Sequence, residues 1–309
     1  MSASTATLRS RHATRRGARI DPARLARTAG LYLGLALLAV IFGFPFFWVL
    51  TTSLKGGAEL YAWPPVWIPT TVYWSNFPRA MELAPFGRYA LNTLAIATGV
   101  TASTLFFCSL AGYAFARLAF PGRNILFVIL LTALMLPPEV TLVPRFLVAR
   151  YFPLVGGNDL MGQGGQGLVD SLWGVGIPQA VSVFGVFFMR QFFQTLPREL
   201  EDAARADGAG EFRIFWQIML PLATPALATL GIFTFDQVWN DFIWPLVILN
   251  SRDNLVVQIG LQQLYQINQP VQWELLMAAS VVVTLPVLIV FLIGQRWLVK
   301  GIATTGIKG

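Results

Sequence analysis

Long charge-free runs set the plan of this chain. Uncharged residues fill the 27 positions between Arg27 and Lys55, the 28 between Arg88 and Arg117, the 19 between Asp170 and Arg190 and the 21 between Glu274 and Arg296. As helices rising 1.5 Å per residue, each reaches roughly across the 30 Å of a bilayer's hydrocarbon. An ionised group at that depth costs several kcal/mol, so such runs mark spans. Two further segments are less clean: Ile125 to Val148, interrupted by Pro137, Pro138 and Glu139, and Leu222 to Leu249, which carries Asp236 and Asp241. The pattern predicts an all-α polytopic membrane protein with six transmembrane helices at about 29–52, 89–116, 124–148, 171–194, 222–249 and 275–296. The proline pair, lacking one donor per residue and clashing with the preceding turn, is expected to break the third span.

Composition agrees. Of 309 residues 55% are hydrophobic and 12% charged, with a mean hydropathy of +0.61, against roughly 45–50% and 25% in soluble domains. One cysteine, Cys108, and one histidine, His12, exclude an intramolecular disulfide, Cys-based or histidine-rich metal sites and a histidine triad. The net charge of +7 is not gathered on a soluble module, so nucleic acid is not the expected partner.

The basic residues orient the spans. The tail, the second and fourth loops and the C-terminus carry 16 Lys and Arg, and the other side, with Lys55, Arg79, Arg88, Arg145, Arg150 and Arg252, carries 6. The positive-inside rule then predicts both termini in the cytoplasm, with residues 1–28 a basic tail at anionic headgroups and 301–309 a second cytoplasmic end. The tail does not read as a cleaved leader, because the apolar run after it is too long for a signal h-region. On the outer side, Trp63-Pro64-Pro65-Val66-Trp67-Ile68-Pro69 suits an aromatic belt or a partner surface. The glycines from Gly156 to Gly167 lack the Gly-Lys-Ser/Thr of a phosphate loop and are expected to form a flexible external loop.

Residues 195–221 form the longest inner connection and read as two short helices. Thr195 is the expected cap, Pro197 lies near the first turn, and Glu199, Glu201 and Asp202 come early, where carboxylates favour the positive end of the helix dipole. Ala203, Ala204 and Ala206 keep the helix slim, and Gly208 supplies the left-handed conformation that ends it. Phe212, Phe215, Trp216 and Met219 are expected on one apolar face of the second helix, ended by Leu220-Pro221. Such a hairpin needs a protein partner, or it lies in the interface alone.

The string Glu201-Asp202-Ala203-Ala204-Arg205-Ala206-Asp207-Gly208-Ala209, with Pro221 fourteen positions after Asp207, resembles the Glu-Ala-Ala loop of ABC importer permease subunits. Asp202 stands where that family has glutamate, with Glu201 just before it. Trp239-Asn240-Asp241-Phe242-Ile243-Trp244-Pro245-Leu246 resembles the signature of carbohydrate-type permeases, and Gly112-Tyr113-Ala114-Phe115-Ala116-Arg117 and Val299-Lys300-Gly301 are similar to the maltose-permease group.

The resemblance implies the type I importer transmembrane domain over residues 29–300, in an ATP-driven, binding-protein-dependent sugar uptake system of the cell membrane. It implies a second permease subunit, two ATPase subunits that hold ATP and magnesium, and an extracytoplasmic substrate-binding protein. The chain itself would bind no cofactor and would not be an enzyme. Glu201, Asp202, Ala203, Ala204, Asp207, Gly208 and Ala209 would couple to the ATPase.

Asp236 and Asn240, four apart on one helix face with Trp239 adjacent and Asp241 turned about 100 degrees away, are candidates for the solute pathway or for bonds between helices. Trp244 reads as a belt residue near the outer end, and Cys108, Met135, Phe184, Phe187, Phe188, Phe192 and Phe193 as lipid-facing or packed core. Glu139 beside the prolines is expected at the outer surface. A glycerol-3-phosphate or glycerophosphodiester importer is the alternative solute class, and an ion-coupled secondary transporter the alternative mechanism, although no internal repeat is seen.

Overall fold

The computed structural model describes residues 22–267 and 270–305, so most of the basic tail and the last four residues lie outside the described residues. Among the described residues, those up to Trp48 form one compact unit and those from Val49 onward another. Helix α1 (Pro22–Ser53), which begins in the first and ends in the second, provides a 28-residue apolar stretch, Ala26–Ser53, long enough to cross a membrane. Pro45 lies inside this helix, and the rings of Phe44 and Trp48 sit 6.5 Å apart.

The second unit begins with a connection pinned by α2 (Asn76–Leu83), where the Asn76 amide donates to the carbonyls of Ser53 (3.0 Å) and Lys55 (2.9 Å). Its long member is α3 (Phe86–Arg117). After Gly122, left-handed at φ 77°, come α4 (Arg123–Thr132), a 3-10 turn to Met135 and α5 (Pro138–Arg150). The two halves are bent by 106°, because the Pro137-Pro138 pair ends one helix and begins the next. The third span is therefore broken, as the proline pair implies.

The fourth span, α6 (Leu172–Gly176) with a 3-10 turn to Gln179 and then α7 (Val183–Thr195), is restarted by serine caps. Ser171 accepts from Gly174 N–H at 3.0 Å and Ser182 from Gly185 N–H at 3.2 Å. The hairpin follows as α8 (Glu199–Ala206) and α9 (Glu211–Leu222), the latter with a π turn over Phe215–Met219. Then come α10 (Thr224–Trp239), bent 76° from α9, α11 (Ile243–Ile248), α12 (Val257–Ile267) and α13 (Trp273–Thr305). The expected fifth span over 222–249 is thus not one helix: it breaks at Asn240–Phe242. Among the described residues four helices can cross a membrane alone, and six spans result if each bent pair counts as one.

Glycine permits the close approach of α3 and α7. A Cβ on Gly112 would lie 2.7 Å from Met189 Cβ and 2.9 Å from Arg190 N, and one on Gly185 would lie 2.9 Å from Cys108 Sγ. Cys108 is buried in this packing, its thiol donating to Ser182 O at 3.3 Å, and so belongs to the core. In lipid the gain comes from close packing, since tails are as apolar as leucine. Contacts advance together along both helices, from Thr104 with Ala180 through Gly112 with Met189 to Arg117 with Phe193, so α3 and α7 run parallel. Parallel neighbours require the chain between them to cross back, which α4 and α5 do.

Two buried clusters result. One joins the start of α3 to α11, α12, α13 and the end of α10; the other joins the end of α3 to α7, the hairpin and the start of α10. Along α13, Leu285, Leu288, Ile289, Leu292 and Ile293 remain exposed, an apolar surface suited to lipid.

The glycine-rich segment is not the loose loop its composition suggests. The Asn158 amide, buried, donates to the carbonyls of Arg150 and Phe152 (both 2.9 Å) and accepts from Gly165 N–H (2.9 Å), while Asp159 accepts from Met161 and Gln163 N–H (both 2.8 Å). Its glycines supply positive φ and close passage: a Cβ on Gly156 would sit 2.0 Å from Gly167 O. Beyond it Asp170, at φ 55°, clamps the segment after α11, accepting from the backbone N–H of Asn250 (3.0 Å) and Ser251 (2.9 Å), from the Ser251 hydroxyl and from Asn254. Burial pushes the Asp170 carboxyl up, but these donors outweigh it and hold its pKa below the ordinary value.

Candidate functional site

The hairpin α8–α9 is built on a buried ion pair. Arg117, the last residue of α3, meets Glu201 with Nε and Oε1 3.1 Å apart and 3% of each side chain exposed. The same guanidinium donates to the carbonyls of Phe193 and Leu196 at the end of α7. Glu201 also meets Arg205 at 3.4 Å, and Arg205 in turn bonds Glu211 in two places, at 2.7 and 3.2 Å. Tyr113 of α3 donates to Glu211 at 3.0 Å. Two residues of α3 therefore grip both arms of the hairpin. Beneath, Ala204, Ile214, Phe215 and Met219 pack into the cluster of Ala116, Met189 and Phe193.

The end of α8 is a Schellman motif: Ala209 N–H bonds Ala204 O at 2.9 Å and Gly208 N–H bonds Arg205 O at 3.0 Å, with Gly208 at φ 80°. Ala203, Ala206, Asp207 and Gly208 are exposed, and Asp202, 70% exposed, is held by Arg205 at 3.0 Å. The acidic pair is divided: Asp202 faces outward, whereas Glu201 is spent inside the chain.

Two local expectations are corrected. Thr195 does not cap α8; it ends α7, its hydroxyl donating to Phe192 O, and Arg198 holds the cap position without a side-chain bond. Nor do the four large residues of α9 share one face. The π turn widens the helix there, so Phe215 and Met219 are buried while Phe212 and Trp216 are exposed, ring on ring at 12° and 6.4 Å. As expected, Leu220-Pro221 marks the end of the second helix: α9 stops at Leu222, and the chain bends by 76° into α10.

The second group of sequence candidates gathers where α10 ends. Asn240 donates to the Asp236 carboxylate at 2.9 Å and carbonyl at 3.0 Å, and accepts from Gln258 of α12 at 3.1 Å. Asp236 and Asn240 are exposed. Asp241, half-buried, accepts from Gln179 at 3.2 Å. Trp239 does not join them: 2% exposed, its indole donates to Val283 O of α13 at 3.0 Å. Trp244 is likewise no belt residue, being buried and donating to Gly174 O of α6 at 3.1 Å. Both indoles bond carbonyls of neighbouring helices, where lipid offers no alternative.

Residues 108–304 match the family described as binding-protein-dependent transport system inner membrane component. This chain belongs to that family. It is 35% identical to the arabinooligosaccharides transport system permease protein AraQ of Bacillus subtilis (strain 168), over 90% of this chain and 95% of that protein. It is 32% identical to the sn-glycerol-3-phosphate transport system permease protein UgpE of Yersinia pestis bv. Antiqua (strain Antiqua), over 84% of this chain and 90% of that one. Its fold is that of a chain in a bacterial ABC transporter involved in the import of the acidic polysaccharide alginate, at a TM-score of 0.76 with 22% identity, covering 90% of this chain and 99% of that one.

The hairpin and the α10 break both lie within the matched region of this multi-pass inner membrane component. Sequence reasoning found the exposed edge of the hairpin but not its anchor. Arg117 and Tyr113 stood in a quoted motif without a role, and their partners lie 84 and 98 residues away. Arg145, counted with the outer loop, is in α5 and lines a cavity with Asp241.

Proposed function

We propose that this inner membrane component forms half of the translocation pathway of an ATP-driven, binding-protein-dependent saccharide importer, with both termini cytoplasmic. A second permease subunit supplies the other half. Two ATPases, holding ATP and magnesium, dock on α8, and an extracytoplasmic binding protein delivers solute. The observation that carries this reading is the hairpin: a slim edge of Ala203, Ala206, Asp207 and Gly208 beside the exposed Phe212–Trp216 stack, fixed rigidly to α3 and α7. Glycine and alanine allow a close partner, and the Arg117–Glu201 pair passes a push on α8 to two spans at once.

The saccharide assignment is supported by the arabinooligosaccharide relative, similar over nearly its full length. The Yersinia relative favours a second reading, a glycerol-3-phosphate solute. Reconstitution decides. The complete importer in proteoliposomes is expected to accumulate labelled saccharide only with both binding protein and internal ATP. Uptake by the purified subunit alone, driven by an ion gradient, would contradict the reading.

A further inference from the structure

The break between α10 and α11 opens on a cavity of about 510 Å³ whose wall includes Glu139, Arg145, Gln179, Gln237, Asn240 and Asp241. That size falls within the ~300–1,000 Å³ of small-molecule sites. Polar groups at membrane depth are costly and are kept where they face water, solute or each other. Here they converge from three spans. The Arg145 guanidinium lies 4.1 Å over the ring of Trp244, and its buried Nε and Nη2 have no hydrogen-bond partner among the described residues. Asp241 is aimed by Gln179 and by Trp244 N–H at 3.4 Å, and Asn240 is held between Asp236 and Gln258.

The charges on the wall are two carboxylates and one guanidinium, so the cavity is negative by one. An anionic solute would meet two carboxylates against one guanidinium, which lies over the Trp244 indole. A hydroxyl group suits the wall in both directions, donating to the carboxylates and amide oxygens and accepting from the amide N–H groups and the guanidinium. We propose that this cavity is a contact site for a neutral saccharide in transit, so that this subunit touches solute itself and selects against acidic solutes. The inference rests on the importer reading and adds the solute class to it.

The test uses the complete importer in proteoliposomes, with the native chain for the uptake screen and with this chain carrying Gln237→Cys for labelling. Gln237 is exposed on the cavity, and the native Cys108 is buried. Maltose, arabinotriose, alginate trisaccharide and glycerol 3-phosphate are first screened for ATP-driven uptake. The transported probe is then added during turnover, and labelling of this chain by a charged maleimide is timed. The expected result is a neutral transported probe that slows labelling at least about five-fold. An acidic transported probe, a neutral one that gives no protection, or labelling blocked in the assembled complex under all conditions would overturn the inference and leave the importer reading intact. Uptake of none of the four would overturn both. Should Gln237→Cys prevent assembly, Ile243→Cys, exposed on the same wall, gives the same measurement.

Discussion

Arg117 and Glu201, 84 positions apart in the chain, stand 3.1 Å apart with almost no exposure, joining the end of a span to the first turn of the hairpin. Removing one partner strands the other, which costs about 3–5 kcal/mol when the survivor is fully buried. Glu201 keeps Arg205, so Arg117→Met is expected at the lower end, about 3 kcal/mol. The double variant Arg117→Met with Glu201→Leu should be less destabilised than the two single losses summed. Thermal melting of the assembled importer in detergent checks this; strict additivity would show that the pair is not coupled.

Gly208 sits at φ 80° in open space, so the cost of a side chain there is backbone strain rather than collision. Asparagine tolerates that region and valine does not, by about 1–2 kcal/mol. The order of transport per ATP hydrolysed is expected to be Gly, then Asn, then Val, with insertion of the chain unchanged. Asp207→Lys, which reverses an exposed charge beside it, should uncouple in the same way. Equal coupling in all variants would count against the hairpin's role.

Phe212 and Trp216 stack at the surface, 67% and 50% exposed. Trp216→Ala should leave melting of the isolated subunit within about 0.5 kcal/mol of the original while lowering ATPase recovery on copurification. An unchanged yield of complex would assign the stack to lipid or headgroups instead.

At Gly112 a side chain has nowhere to go, since Met189 Cβ and the Arg190 backbone are both within 3 Å of its Cβ position. Gly112→Ala is expected to part α3 from α7 and cost about 1–3 kcal/mol. Gly99, in the same helix with nothing within 4 Å, is the matched control and should accept alanine silently. Comparing the amounts of folded protein after extraction tests both.

For Asp170 the sign follows from its depressed pKa. A carboxyl whose folded pKa lies below its unfolded value, about 3.9, stabilises the fold above that value and loses the contribution as pH falls through the folded pKa. The melting-temperature gap between the original protein and Asp170→Asn should be constant from pH 7 to about 5 and close below about 4. A gap independent of pH would assign the clamp to shape alone.

Much of this was legible in the residues. Charge-free runs located the spans, and the proline pair located the 106° bend, because both follow from local chemistry. Gly208 was identified as a helix stop for the same reason. What escaped was set by distant partners or by helix pitch. The burial of Glu201 depends on Arg117, the indoles of Trp239 and Trp244 on carbonyls of other helices, and the division of Phe212 and Trp216 from Phe215 and Met219 on one π turn. Glycine density suggested looseness between Gly156 and Gly167, yet Asn158 and Asp159 turn those same glycines into a fixed loop.

The central claim is that the outer edge of α8 meets an ATPase whose nucleotide cycle moves it. Ala206→Cys places one exposed thiol on that edge, in a chain whose native cysteine is buried. Short crosslinkers in the assembled importer are expected to join this position to the ATPase, with a yield that changes between nucleotide-free and ATP-bound states. Crosslinks that reach only lipid or the partner permease in every nucleotide state would contradict the account.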